Sequence, residues 1–154
     1  MDKDYLLKTA RELKQVDTKT AEEYKKKSDE LVSQINKKML EKPEINNLIG
    51  GEQNLGMMQD NHGNHVRFIA SILKNYNPDV FVETVLWVFR AYSSHGFTTN
   101  YWATQMNTWI EILREVFTPE IFNEIYPIYE WMQTNIPIFV KVSEDDVETP
   151  NTMH

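Results

Sequence analysis

The chain has no cysteine among its 154 residues. That excludes disulfides, thiolate metal sites, cysteine nucleophiles and thioether-linked pigments. It also lacks any run of about 18 uncharged apolar residues, so no membrane span is expected. The opening MDKDYLLKTARELK is charged and has no apolar signal-peptide segment, which makes the cytoplasm the expected location. Basic residues are in deficit, 16 Lys and Arg against 23 Asp and Glu, for a formal charge of −7. With no basic stripe interleaved with aromatics, nucleic acid is not an expected partner. Strand alternation, internal repeats, a glycine-rich phosphate loop, a nucleophile elbow and an HExxH motif are all missing. No catalysis is expected from such a chain.

What is present is one domain's length of helical patterning, enough to bury a core. Its centre is TVLWVFRAYSSHGFTTNYWATQMNTW, Thr84 to Trp109, with three of the four tryptophans. Val85, Val88, Phe89 and Tyr92 share a helical face, widened by Leu86 and Trp87. A corner is expected at Ser94-His95-Gly96, and Thr98 or Thr99 should cap the next helix. That helix turns Trp102, Gln105, Met106, Trp109 and Leu113 to one side. So much aromatic surface either covers a deep core or lines a pocket.

Around this centre the spacing predicts a short helix carrying Tyr5, Leu6, Ala10 and Leu13, then a long one from about Thr20 to Glu41. Tyr24, Ser28, Leu31, Val32, Ile35 and Met39 form its inner face, and Lys25-Lys26-Lys27 a solvated one. Pro43 ends it, leaving a turn or loop to Gly51. The next helix, about Glu52 to Tyr76, has an inner stripe of Met58, His62, His65, Ile69 and Ile72. Gly56, Gly63 and Ala70 repeat every seven residues on another face and suggest a close helix crossing. Asn77-Pro78 and Thr118-Pro119 each read as cap and first helical residue. The last helix carries Ile121, Phe122, Ile125, Tyr129, Met132, Ile136 and Phe139, with kinks expected near Pro127 and Pro137. Residues 1–142 are therefore expected to form one domain, and 143–154 an acidic, disordered tail.

His62 and His65 stand three apart, a spacing that can bring two imidazoles to one metal, but Asp60 and Glu52 do not share their face. Histidines satisfied in the core, or lining the polar end of a cavity, are the stronger expectation. The helix order is that of a globin. In bacterial sensor globins the haem-ligating histidine lies about four residues before the corner glycine, where this chain has Tyr92, and His95 abuts Gly96. Tyrosine ligates haem iron more rarely. A haem-based gas or redox sensor, with Tyr92 or His95 on the iron, is thus the alternative, and a pocket with another occupant the main reading.

The segments NLGMMQDNHGNHVRFIASI, TVLWVFRAYSSHGFTTNYWATQMNTW and YPIYEWM resemble the sensor domains of Bacillus sporulation sensor histidine kinases. They are closer still to the plasmid-borne sporulation-inhibitory sensor-domain proteins of the anthrax bacillus. The likeness spans about residues 5–140. It implies an all-α, globin-like helical bundle without haem, a homodimer, a fatty acid in the haem-sized cavity and a chloride nearby. The implied output is inhibition of sporulation, by competing with or engaging a sensor histidine kinase. The chain shows neither the phosphoacceptor helix nor the ATP-binding domain of a kinase, consistent with a sensor that acts by binding.

Met58, Phe68, Ile69, Phe89, Trp102, Met106 and Trp109 are then the expected acyl-chain contacts. His62, His65, Arg90, Tyr92, His95, Tyr101 and Gln105 are the expected polar groups for a carboxylate or halide. At about 0.8 kcal/mol per methylene, a chain of about 14–18 carbons carries on the order of 10 kcal/mol of gross transfer energy. A charged His62 or His65 at the head group would make binding weaken as pH rises. Ile110, Ile112, Ile128 and Val140 are the expected dimer surface.

Overall fold

The computed structural model describes residues 2–148, whose regular structure is all helix. The order is α1 Lys3–Ala10, α2 Thr18–Lys26, α3 Ser28–Leu40, α4 Ile45–Ile49, a 3-10 turn Glu52–Asn54, α5 Leu55–Lys74, α6 Pro78–Ser93, α7 Thr99–Val116, α8 Pro119–Thr134 and α9 Ile136–Glu148. No helix among the described residues is long and apolar enough to cross a membrane.

Three helix starts follow the cap chemistry written in the sequence. Asn77, Thr98 and Thr118 accept from the backbone N–H groups of Val80, Tyr101 and Ile121, with Pro78 and Pro119 in the first turns of α6 and α8. Such a cap contributes about 1 kcal/mol. The stretch read as one helix from Thr20 to Glu41 is two. Lys27, at φ −91° and ψ 6°, leaves the helical basin between α2 and α3 while Tyr24, Leu31, Ile35 and Met39 stay buried. The last helix is likewise divided, at Asn135, with Pro137 in the first turn of α9 where it needs no N–H partner. Pro127 is accepted on the exposed side of α8. α9 runs on to Glu148 with Val142 and Ser143 buried, so the expected tail starts as helix; 149–154 lie outside the described residues.

The expected loop after Pro43 contains α4, whose Ile45, Leu48 and Ile49 are buried. It ends at Gly50 and Gly51, with φ of 85° and 129°. The α6–α7 corner sits on this loop. Thr98 donates from its backbone N–H and its hydroxyl to the Leu48 carbonyl, at 2.9 and 3.0 Å. Asn54 Nδ2 donates to the carbonyls of Ile49 and His95, both at 2.8 Å. A Cβ on Gly50 would lie 2.8 Å from the Gly96 carbonyl oxygen. Close backbone approach is real in this protein, but between corner glycines.

The glycine stripe of α5 does not mark a crossing. A Cβ on Gly56 would meet nothing within 4 Å, and one on Gly63 only the Arg67 side chain. α5 packs on α2 and α3, α3 also on α7, α7 on α8, and α6 on α9 and α1. α5 and α6 do not press backbone to backbone. They face each other across a gap.

Ile110, Ile112 and Ile128 belong to the protomer's own core, which removes them as a dimer surface, and Val140 packs beside it. Among the described residues, the large apolar side chains left exposed are Tyr5, Leu40, Val80 and Trp87. Trp87, at 59% exposure, does not widen the buried face of α6 as its position suggested.

Gly50→Ala should cost more than about 1 kcal/mol, from the left-handed backbone and the Gly96 collision together. Gly63→Ala, at a helical position with room, should gain about 0.5–1 kcal/mol. The urea midpoints of the two variants should move in opposite directions from the parent.

Candidate functional site

The gap between α5 and α6 is a cavity of about 190 Å3, floored by α7 and reached by Met132 of α8. Its long walls are apolar: Phe68 from α5, Val85, Val88 and Phe89 from α6, Trp102 and Met106 from α7. Phe89 stacks on Trp102 with centroids 4.4 Å apart, and Tyr92 meets Trp102 edge-on at 6.0 Å. Trp87, mostly exposed, stands at the rim.

The two ends differ. α5 and α6 run so that Phe68 stacks near Phe81 at one end, while Asn61 and Asn64 meet Tyr92 at the other. At this polar end the Tyr101 hydroxyl donates to Asn61 Oδ1 at 2.9 Å, and Gln105 Nε2 donates to the same oxygen at 2.7 Å and to the Tyr101 oxygen at 2.8 Å. Burial pushes the Tyr101 hydroxyl well above its usual pKa. It raises Tyr92 too, with the Asn64 and Asn61 amides pulling the other way and the Asp60 charge adding to the rise. Both phenols are therefore donors at neutral pH.

The two histidines of the α5 stripe take different places. His65 lines the cavity, stacks on Trp109 at 4.7 Å and bonds through Nε2 to the Tyr129 hydroxyl at 2.8 Å. Tyr129 in turn is 2.7 Å from the Tyr24 hydroxyl, so the chain of bonds ends in the core. His62 lies behind it, fully buried, and donates from Nδ1 to Asn36 Oδ1 at 2.6 Å. His62 Nε2 and Trp109 Nε1 are the buried side-chain polar atoms without a protein partner among the described residues. Each costs about 1–3 kcal/mol. Burial drives both imidazoles down to a pKa of about 3, and the neighbouring His62 adds to the effect on His65. Neither can be the charged head-group partner at neutral pH.

Seven expected site residues thus meet at the cavity: His65, Phe68, Phe89, Tyr92, Trp102, Gln105 and Met106. Met58, His62, Ile69, Tyr101 and Trp109 are fully buried behind its walls. Arg90 turns to a neighbouring groove with Phe97, Thr98 and Ser143, and His95 lies exposed on the corner, where its carbonyl serves Asn54. Neither lines the cavity. The sequence reading did not assign Asn61, Asn64, Thr84, Val85, Trp87, Val88 or Met132 to the site. Asn61 and Asn64 precede His62 and His65 by one position each along α5, so that helix presents two faces to polar partners. No group of three His, Cys, Asp or Glu able to hold a metal exists among the described residues.

Neutral buried histidines tie stability to pH. Their folded pKa lies below the unfolded value of about 6.5, so the unfolded chain binds the extra protons. Stability is full above about pH 6.5 and falls toward the folded pKa of about 3. The slope is up to about 1.4 kcal/mol per pH unit for each histidine. His62→Leu combined with His65→Leu should flatten the urea midpoint between about pH 4 and 6.5, after allowance for the carboxylates common to both proteins.

Compared with known proteins, the chain matches no family model, no curated protein and no solved structure.

Proposed function

We propose that this is a non-catalytic sensor domain that takes the acyl part of a fatty acid into the cavity between α5 and α6. One observation carries the reading: an apolar cavity with a polar end, between two helices that pack on other neighbours rather than on each other. Ligand pockets have this composition, apolar walls with a few placed polar groups. The separation of α5 from α6 supports the globin-like, haem-less arrangement that the sequence resemblance implies. That resemblance also supplies the rest of the reading: a homodimer in the cytoplasm, a chloride as second ligand, and inhibition of sporulation by competition with a sensor histidine kinase. The dimer would need a surface other than the one first expected, since Ile110, Ile112 and Ile128 are in the core.

Size sets a bound on the occupant. Pockets for drug-sized ligands hold about 300–1,000 Å3, and an apolar cavity of about 150 Å3 takes a benzene-sized group. At about 190 Å3 the cavity holds only a segment of a chain of about 14–18 carbons unless its walls yield. Met106 and Met132 are the walls best able to do so, being unbranched and polarisable. A haem ring asks for more room still. Tyr92, held edge-on against Trp102 and Phe97, is placed as a wall.

Organic extraction of the purified protein followed by mass spectrometry should release fatty acid in stoichiometric amount. Val88→Trp, which fills the cavity from a half-buried position, should remove it while leaving the far-ultraviolet spectrum unchanged. The parent should purify colourless and form no sharp Soret band with haemin; a stoichiometric haem spectrum would replace this reading with the haem sensor. Expression beside a kinase bearing a similar sensor domain should lower the spore count, and an unchanged count would remove the proposed output.

A further inference from the structure

Every polar group that the cavity offers an occupant is uncharged. Asn61 and Asn64 from α5, Tyr92 from α6 and Gln105 from α7 line its polar end. These groups are fixed by one another. Asn61 Oδ1 is occupied by the Tyr101 hydroxyl and by Gln105 Nε2, which leaves the amide's N–H side toward Tyr92. Such a set matches the mixed donor and acceptor character of a hydroxyl, a primary amide or a protonated carboxyl.

We propose that the cavity selects amphiphiles with an uncharged, hydrogen-bonding head group and discriminates against the carboxylate ion. This rests on the ligand-binding reading above and names its ligand class more narrowly. A fatty acid would then enter as its neutral acid, and a fatty alcohol or amide of equal length would bind at least as well.

The charges around the polar end agree. On α5, His62 and His65 are kept neutral by burial, with pKa values of about 3, and Asp60 is close enough to raise the pKa of Tyr92. Arg67 is exposed and bonds Asn64, which lines the cavity. On α6, Glu83 pairs with Lys3, and Arg90 faces the neighbouring groove. Tyr101 of α7 and Tyr129 of α8 are pushed well above their usual range and stay protonated. The Asp60 charge that acts on Tyr92 repels an anion, and the Arg67 guanidinium bonded to Asn64 stands in solvent. A carboxylate moved there from water would lose its hydration without gaining a buried counter-charge.

The test titrates delipidated protein with 1-decanol, decanamide and decanoic acid from about pH 5 to about pH 8, read by intrinsic tryptophan fluorescence and by calorimetry. Alcohol and amide affinity should stay level across the range. Acid affinity should fall by about tenfold per pH unit above the acid's own pKa, because only the neutral form binds. Asn64→Lys, an exposed position, should shift the ratio of decanoate to decanol affinity at the upper pH toward the acid by at least about tenfold. Decanoate binding as tightly as decanol at the upper pH would overturn the proposal while the ligand-binding reading stood. So would decanoate binding there that is lost in Arg67→Gln, since the head group would then be an anion held by Arg67. Binding of none of the three would overturn both.

Discussion

The architecture depends on one contact, the seat of the α6–α7 corner on the loop between α4 and α5. Gly50 and Gly96 bring two backbones to a distance that no side chain permits, and both adopt left-handed φ, 85° and 101°. Asn54 then satisfies carbonyls on both sides, and Thr98 uses one carbonyl of α4 twice while its oxygen caps α7. Carbonyls at the ends of α4 and α6 that would otherwise need water are paired inside the protein. The consequence is positional. α5 starts one residue after Asn54, and α6 ends three residues before Gly96, so the same seat fixes where both walls of the cavity begin.

From that end the walls are kept apart by what each packs on. α5 leans on α2 and α3 and α6 on α9 and α1, so neither has to close on the other to bury its apolar face. Trp102, Met106 and Phe89 fill part of the space between them. The remainder stays open because the helices that could close it are committed elsewhere. Holding polar groups there is expensive. Two buried imidazoles are kept neutral, and His62 Nε2 and Trp109 Nε1 forgo protein partners. A protein whose only need was stability would fill these positions with leucine.

The helix starts were legible because capping is local: Asn77, Thr98 and Thr118 announce themselves within four residues. The buried stripes of α3, α5 and α7 were legible because periodicity records burial. What failed depended on tertiary context. Nothing in Lys25-Lys26-Lys27 signals the break at Lys27, which comes from α2 docking on α5 while α3 docks on both α5 and α7. Gly56 and Gly63 looked like a crossing because spacing cannot say which helix face has a neighbour. Phe68, Phe89, Trp102, Gln105 and Met106 do line the cavity, but periodicity cannot separate wall from core, and Met58, Ile69 and Trp109, expected with them, are buried behind it. Arg90 and His95 were assigned by chemistry alone; Arg90 faces the neighbouring groove and His95 lies exposed on the corner.

The histidines show how burial overrides residue type. By composition, His62 and His65 are the natural partners of an anion, and a charged imidazole is worth most where water is excluded. The same exclusion of water prevents the charge from forming. With desolvation the leading cause for both, and each ring already bonded through a neutral group, Asn36 or Tyr129, proton uptake would break the balance of the site. Their place in the structure is therefore that of neutral, oriented rings, with His65 lining the cavity and stacked on Trp109 behind it. The polar groups that the cavity itself presents are instead the amides of Asn61, Asn64 and Gln105, which keep their donors and acceptors at every pH the fold survives.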